Sequence, residues 1–481
     1  MPTAAGSRPN ILMIIVHDLG QHLGCYGAGI RTPNLDGLAA DGVLFDNHFC
    51  TAAQCSPSRG GIMTGRMPHN NGLIGLAHLG WQIGAQEVTL PMYLNAAGYS
   101  THLIGHQHEH PEPARLGYQD IQPSSDARQG AALVCDFLRT RRCAGPPAHM
   151  DSPPAGGPAG LRGDDADQPF FVNSGWGEPH RPHIREGYDN DDPASVQPLY
   201  WLPDRPGIRE DVAGMNGLIY RVDECVGQVR QALVETGLAD NTLLIFTTDH
   251  GTAMPRAKGT CYDPGLKTTF LAHWPGHFEG GRRYSEMLSN MDLLPTLLDL
   301  AGARTPAQIE GRSFLPLLEG PVGADTRSAQ PGADTRFAQP GAHRECAPTY
   351  TPHEFLYSEM TWHDKYNPMR AVRTERYKYI RSFGDRPLVY LPLDVWNGPA
   401  GEAMREDFYG TRRPTHELYD LVQDPLERNN VFGDPAYAEV GERLRAQVEQ
   451  YMVDSNDPLL YGDIPPSAEQ AERIKQWLAD N

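Results

Sequence analysis

Seven residues near the start, Asn10–Val16 (NILMIIV), constrain this chain more than any others. An unbroken apolar, branched run of strand length belongs to a strand buried on both faces, and such strands occur in parallel sheets covered by helices. The run stops at His17 and Asp18. The same grammar continues downstream. Thr32 and Pro33 offer a cap and a first helical residue for PNLDGLAADG, Val43 to Phe45 reads as a strand, and a helix from Leu90 to Ala97 closes at Gly98. Further strands are expected at Tyr99 to Gly105, Pro169 to Asn173 and Thr242 to Thr247. A long helix is expected at Glu210 to Glu235, and helical periodicity returns around Asp292 to Ala301. Alternation of this kind predicts an α/β fold, with a large, mostly parallel sheet sandwiched by helices.

Two segments interrupt the pattern. Residues 142–168 turn to Gly, Pro, Ala and Asp, the composition of a surface insertion, and a nine-residue repeat, GADTRSAQP then GADTRFAQP, occupies 323–340. Two polar copies are too few for a solenoid, so 321–345 reads as a linker. Beyond it come short strands at Glu354 to Glu359, Met369 to Arg373, Tyr377 to Arg381 and His416 to Leu421, then a terminal helix at Tyr437 to Met452. The expected organisation is a main α/β domain over 1–320 and a smaller C-terminal α+β domain over 346–481.

Charge narrows the partners. A formal net charge of −19 leaves no basic face for nucleic acid or an anionic membrane, so an anionic substrate must be met by local positive charge. The first apolar run is too short to span a bilayer and lacks a small-residue cleavage site, which predicts a cytoplasmic protein. Eight cysteines without a C-x-x-C pair are expected to be free thiols in that compartment.

Ligands in open parallel sheets bind beyond the carboxyl ends of the strands. Here His17 and Asp18, His106 and His108, His180, and Asp249 and His250 each follow a different strand. Unrelated loops have no reason to share these residue types at one sheet edge. Thr51 to Gly65, TAAQCSPSRGGIMTG, adds a cysteine before a helix, with Pro57 at its expected first position and negative charge favoured at Cys55.

Cys55 to Arg59, followed by Met63-Thr64-Gly65, resembles the signature of the type I sulfatases in the alkaline phosphatase superfamily. NILMIIV with Asp18, TTDHG at 247–251, KGTCYDPG at 258–265 and the C-terminal ELYDLVQDPLERNN resemble that family's other blocks in order. PHNNGLIGL at 68–76 and PMRAV at 368–372 are similar to the heparan N-sulfatase (sulfamidase) branch. The resemblance implies an alkaline-phosphatase-like fold and hydrolysis of a sulfate ester or sulfamate, on a small saccharide. It also implies that a formylglycine-generating enzyme oxidises Cys55 to formylglycine, whose hydrate is the nucleophile. Arg59 would hold that diol, His108 would collapse the sulfated diol, His180 would protonate the leaving group, and Lys258 would clamp the sulfate. Asp18, Asp249, His250 and the modified Cys55 would hold a divalent cation, calcium by resemblance.

Two positions depart from the family. His17 stands where a second carboxylate is usual, and His106 where a lysine is usual. His17 as a ligand would shift preference toward zinc or manganese. His106, Arg181 and His363 are further candidate substrate contacts, with Glu178 at the entrance and Trp362 and Arg370 as possible sugar contacts. His110 reads as a solvated loop residue, and Asp263 and Lys267 as structure. A phosphonate or phosphate ester hydrolase of the same superfamily, and a non-catalytic relic with unmodified Cys55, are the competing readings.

Overall fold

The computed structural model describes residues 8–141, 168–319 and 350–480, the side chains of 477–480 excepted. The expected insertion, up to residue 167, and the repeat-bearing linker lie outside the described residues. Among the described residues, ten strands precede the linker: β1 (Asn10–Val16), β2 (Val43–Phe45), β3 (His48–Phe49), β4 (Ser100–Gly105), β5 (Asp120–Gln122), β6 (Phe170–Trp176), β7 (Thr242–Thr248), β8 (Phe270–His273), β9 (Arg282–Tyr284) and β10 (Leu288–Ser289). Eight of them form one sheet in the order β5-β4-β6-β1-β7-β8-β2-β9, in which only β8 pairs antiparallel to its neighbours. β3 and β10 pair separately.

The centre of the sheet is β1, between β6 and β7. Its side chains alternate between two cores. Leu12, Ile14 and Val16 join the cluster packed by Val212, Ile219 and Val226 of the long helix Pro206–Thr236. Ile11, Met13 and Ile15 join the opposite cluster with Leu90, Leu294 and Leu297. All six β1 side chains are fully buried, each stabilising the fold by roughly 2 kcal/mol. This double burial is why the run shows no alternation in sequence.

Two strand ends approach with nothing between them. Gly105 and Gly175 are register partners in β4 and β6. A Cβ on Gly105, whose φ is +110°, would lie 2.2 Å from the Gly175 carbonyl oxygen. One on Gly175 would lie 1.8 Å from the carbonyl oxygen of His106. Only glycine permits this contact.

After the linker, β11 (Leu356–Trp362), β12 (Tyr366–Arg373), β13 (Tyr377–Ser382) and β14 (His416–Asp420) make an antiparallel sheet in chain order. One face packs on the helix Ala438–Asp454 through Val372, Tyr379 and Leu418. The other sends Met360, Met369, Ala371 and Ile380 into the same core as Leu12, so the two sheets share a continuous interior.

Several expected boundaries move. The long helix begins at Pro206, with Pro206 as its first residue after an extended Arg205. A helix at Pro399–Tyr409 was not anticipated. The helix at Ala438–Asp454 is not terminal, because Ala468–Asp480 follows, with Ser467 Oγ accepting from the Gln470 amide as a cap. The six described cysteines are all free, and no helix among the described residues is long and apolar enough to cross a membrane.

Candidate active site

Four adjacent strands, β4, β6, β1 and β7, deliver the histidines and aspartates to one edge. His17 is the hub: its ring centroid lies 5.0 Å from that of His106, 6.0 Å from His108 and 5.6 Å from His180. Asp18 follows in the left-handed region at φ +51°, a conformation costing a non-glycine residue roughly 1 kcal/mol, and its amide donates to Asp249 Oδ1 at 3.0 Å. Strain is thus concentrated where the carboxylate must turn inward.

Cys55 reaches this edge from below. The helix Cys55–Thr64 starts two residues earlier than Pro57 would dictate, with extended Gln54 as its cap residue. Proline's preference for the first helical position set the expected start at Pro57. Tertiary contacts override the preference: Ser56 Oγ accepts from the Ala77 amide at 3.0 Å, and Ser58 Oγ donates to the Asp249 carbonyl. Cys55 therefore occupies the first helical position itself, at the positive end of the helix. Its Sγ lies 3.4 Å from His250 Nε2 and 3.9 Å from Asp18 Oδ1.

The carboxylates are shared between cations and imidazoles. Asp249 Oδ2 accepts from Arg59 Nε at 3.1 Å and lies 3.0 Å from His17 Nδ1. Asp18 Oδ1 is 2.9 Å from His250 Nε2, and Asp18 Oδ2 is 3.0 Å from Lys258 Nζ. His250 Nδ1 donates to the Gly251 carbonyl at 2.8 Å, and Asp249 and Asp18 outweigh burial to hold the ring well above the usual imidazole range, so that Nε2 donates to Asp18 Oδ1. Lys258 Nζ is also 3.5 Å from His180 Nε2. His17, Asp18, Cys55 and Asp249 each offer a ligand atom within 4.8 Å of the others.

Burial and these neighbours set the protonation. Burial alone would raise the Cys55 thiol, but Lys258 and the imidazoles of His108, His17 and His180 outweigh it and hold the thiol well below its usual range. Burial and Lys258 push His180 down, yet Asp18 and Cys55 lift it to about 9. His106 falls to about 2, through burial first and then the positive charge around it, and is neutral. Buried polar atoms without a hydrogen-bond partner gather here: His17 Nε2, both terminal nitrogens of Arg59, His108 Nδ1 and Glu109 Oε1. Unsatisfied groups at this density mark a place built to receive a charged, oxygen-rich guest.

Other candidates are placed elsewhere. The Arg181 guanidinium is committed within the fold: its terminal nitrogens bind Asp211 at 2.8 and 2.5 Å and its Nε donates to the Ala253 carbonyl. Glu178 is equally committed, to the Ala127 amide and the Tyr188 hydroxyl. Arg370 is buried against Asp457 and the Met360 carbonyl, leaving it no reach to a sugar. His363 pairs with Asp364 at 2.6 Å, with its Nε2 buried and unpartnered. His110 is buried, not solvated, and accepts from the Glu112 amide. Asp263 is structural as expected, held by Arg373 and Lys378.

Three members escaped sequence reasoning. Glu109 lies 3.7 Å from Arg59 and takes the His108 amide on its other oxygen at 2.5 Å. His78 stacks on His108, with Nδ1 2.9 Å from His108 Nε2. Asp394 pairs with Lys258 at 2.8 Å and lies 4.0 Å from His180 Nε2. Glu109 sits beside a candidate and His78 two residues past PHNNGLIGL, so proximity could have flagged both. Nothing in the sequence around Asp394 signals its reach.

A parallel sheet with an acid, base and cation cluster at its carboxyl edge, beside a C-x-P-S-R helix start, defines a hydrolase centre, and a family model described as Sulfatase matches residues 9–303. The chain belongs to the sulfatase family and is a sulfatase-family hydrolase. It is 28% identical to human (Homo sapiens) N-sulphoglucosamine sulphohydrolase, over 94% of this chain and 91% of that protein. It is 29% identical to an ulvan-active sulfatase of Formosa agariphila, over 95% of this chain and 82% of that one. Its fold matches that of a 2-O GAG sulfatase at a TM-score of 0.66 and 20% identity, covering 96% of both chains. A second solved structure, in complex with its substrate D-glucosamine-2-N,6-O-disulfate, matches at 0.63 and 19% identity, over 94% of this chain and 99% of that one.

Proposed function

We propose that this chain hydrolyses a sulfate ester or sulfamate on a saccharide, with Cys55 acting after oxidation to formylglycine. The observation that carries the reading is the convergence of Lys258, His108 and His180 on Cys55, where together they override burial and favour negative charge. The relatives named for sulfated sugars support the substrate class.

Formylglycine and a divalent cation fit these residues. The orphaned polar atoms surround Cys55, and the aspartates with His250 Nε2 supply a donor set for an ion. When bound, the ion would supply Lewis acidity to the sulfate oxygens, and the hydrated aldehyde would supply the nucleophile. Asp18, Asp249 and His250 would hold the ion, with His17 as a further ligand. The chain's own residues do the rest. Arg59, anchored by Asp249, fixes the nucleophile; Lys258 holds the transferring anion; His108 removes the proton whose loss expels sulfate; His180 donates to the leaving oxygen or nitrogen. Asp18 raises His180 against burial and Lys258, an influence that survives the oxidation of Cys55 and favours the ring carrying that proton.

Resemblance argues for calcium, but two imidazole nitrogens among the donors argue for zinc or manganese. Metal analysis of the purified protein decides: stoichiometric calcium with no transition metal would sink the softer-ion reading. The functional reading is tested by sulfate release from N-sulfated and O-sulfated glucosamine by formylglycine-bearing protein. The paired Asp249 and His250 keep a second reading, phosphonate ester hydrolysis, in view. Phosphonate turnover faster by orders of magnitude than that of the matched sulfate ester would select it.

A further inference from the structure

A cavity of about 730 Å³ lies against the centre, between the antiparallel sheet and the helix Ala468–Asp480. Its size is that of a ligand pocket. Trp362, Tyr366, Trp396 and Tyr409 line it, in two aromatic pairs whose centroids are each 4.8 Å apart. Gln470 pins the helix in place, accepting from Trp81 Nε1 at 2.6 Å and donating to the His363 carbonyl at 2.7 Å.

Two edges of the cavity adjoin the chemistry. Leu393, on its wall, precedes Asp394, whose carboxylate lies 2.8 Å from Lys258. Arg473, also on its wall, acts electrostatically on His78, the partner of His108. Arg386 also lines the cavity, its guanidinium 5.7 Å from the Tyr366 ring centroid. No carboxylate pairs with Arg386 or Arg473 among the described residues. The acid on the wall, Asp364, is consumed: its Oδ1 takes the Tyr390 hydroxyl and the Leu393 amide and faces His363. On a chain of net charge −19, aromatic walls bordered by two guanidinium groups are a local reversal of sign.

Aromatic faces stack against the C–H faces of sugar rings, and guanidinium forks bind planar or tetrahedral oxyanions. We propose that this cavity is a second saccharide subsite, holding the sugar next to the one that carries the scissile sulfate and selecting an anionic group on it. The inference rests on the sulfatase reading and deepens it: the substrate is an anionic oligosaccharide and not an isolated monosaccharide.

The test compares kcat and KM for a terminally sulfated monosaccharide with three disaccharides bearing the same terminal residue. Their second sugars are neutral, carboxylated (a uronate) or sulfated. Wild type is expected to bind the anionic disaccharides with KM about tenfold below that of the monosaccharide, as one good charge-assisted contact requires. Arg386→Ala should erase most of that gain without changing kcat or the monosaccharide constants; Arg473→Ala should erase most of it as well, and Arg473→Lys should restore part of it. Whether the uronate or the sulfated sugar gains more identifies the anion. Equal KM for monosaccharide and anionic disaccharides, or arginine variants that impair both alike, would overturn the subsite. No turnover of any saccharide sulfate by formylglycine-bearing wild type would overturn the sulfatase reading itself, and the subsite with it.

Discussion

Asp394 and Lys258 meet at 2.8 Å, one from a short helix after β13 and the other from the segment after β7. Lys258 is thereby held between two carboxylates, Asp18 and Asp394, and both raise its affinity for its proton against the effect of burial. The proposed anion clamp is already neutralised before substrate arrives. Asp394→Asn is expected to strengthen inhibition by inorganic sulfate roughly fivefold, since one part-buried charge is worth on the order of 1 kcal/mol. The same change should lower kcat about tenfold, because Lys258 loses an anchor. Steady-state kinetics with sulfate as inhibitor read both effects, and weaker sulfate inhibition would refute the electrostatic argument.

Cys55 provides the second prediction. Conversion of its thiol to an aldehyde lowers the intact mass by about 18 Da, and Cys55→Ala should abolish turnover while the cation site keeps its aspartates. Mass spectrometry of protein from the native host is the check. A fully unmodified thiol there would support the relic.

Arg181 separates structure from catalysis. Arg181→Ala leaves Asp211 buried with only His183 and the Ala400 amide as polar partners, a change expected to cost about 3 kcal/mol of stability. Thermal unfolding should show the loss, whereas the KM of the surviving folded enzyme should stay near wild type. A large rise in KM with an unchanged Tm would return Arg181 to the substrate.

His48 sets an acid limb on stability. Burial pushes its pKa down to about 3, against 6.5 for an ordinary histidine. The unfolded chain therefore takes up a proton that the folded chain refuses. Stability from the neutral ring is present in full above pH 6.5 and is lost as pH falls toward 3, at up to about 1.4 kcal/mol per pH unit. His48→Asn, which can still bond Thr268, should flatten the pH dependence of the urea midpoint between about pH 6 and pH 4.5 by up to that slope. An unchanged slope would show that the ring titrates normally.

How much of this was legible in the sequence depends on where the information lies. β1 could be read because double burial leaves an unmistakable apolar run, and the sheet-edge residues could be read because each follows such a strand. The helix at Cys55 was misplaced because the local preference of proline for a first helical position lost to contacts from Ala77 and Asp249. Asp394 was invisible for a different reason. Its role exists only through pairing with Lys258, across 136 positions of chain, and no local pattern encodes such a meeting. Arg181 shows the converse, a charged residue beside a candidate histidine whose partner, Asp211, lies on a helix thirty residues on.

The contact between Gly105 and Gly175 has a consequence for the reaction itself. The loop after β4 carries His106 and His108, and the segment after β6 carries His180, so the gap between the proposed proton acceptor and the proposed proton donor is gauged where these two strand ends touch. A single methyl group at either glycine would wedge them apart. Every reacting group would remain in the sequence, and the relay between them would be out of range. The tolerance of the chemistry is thus recorded at two residues that take no part in it.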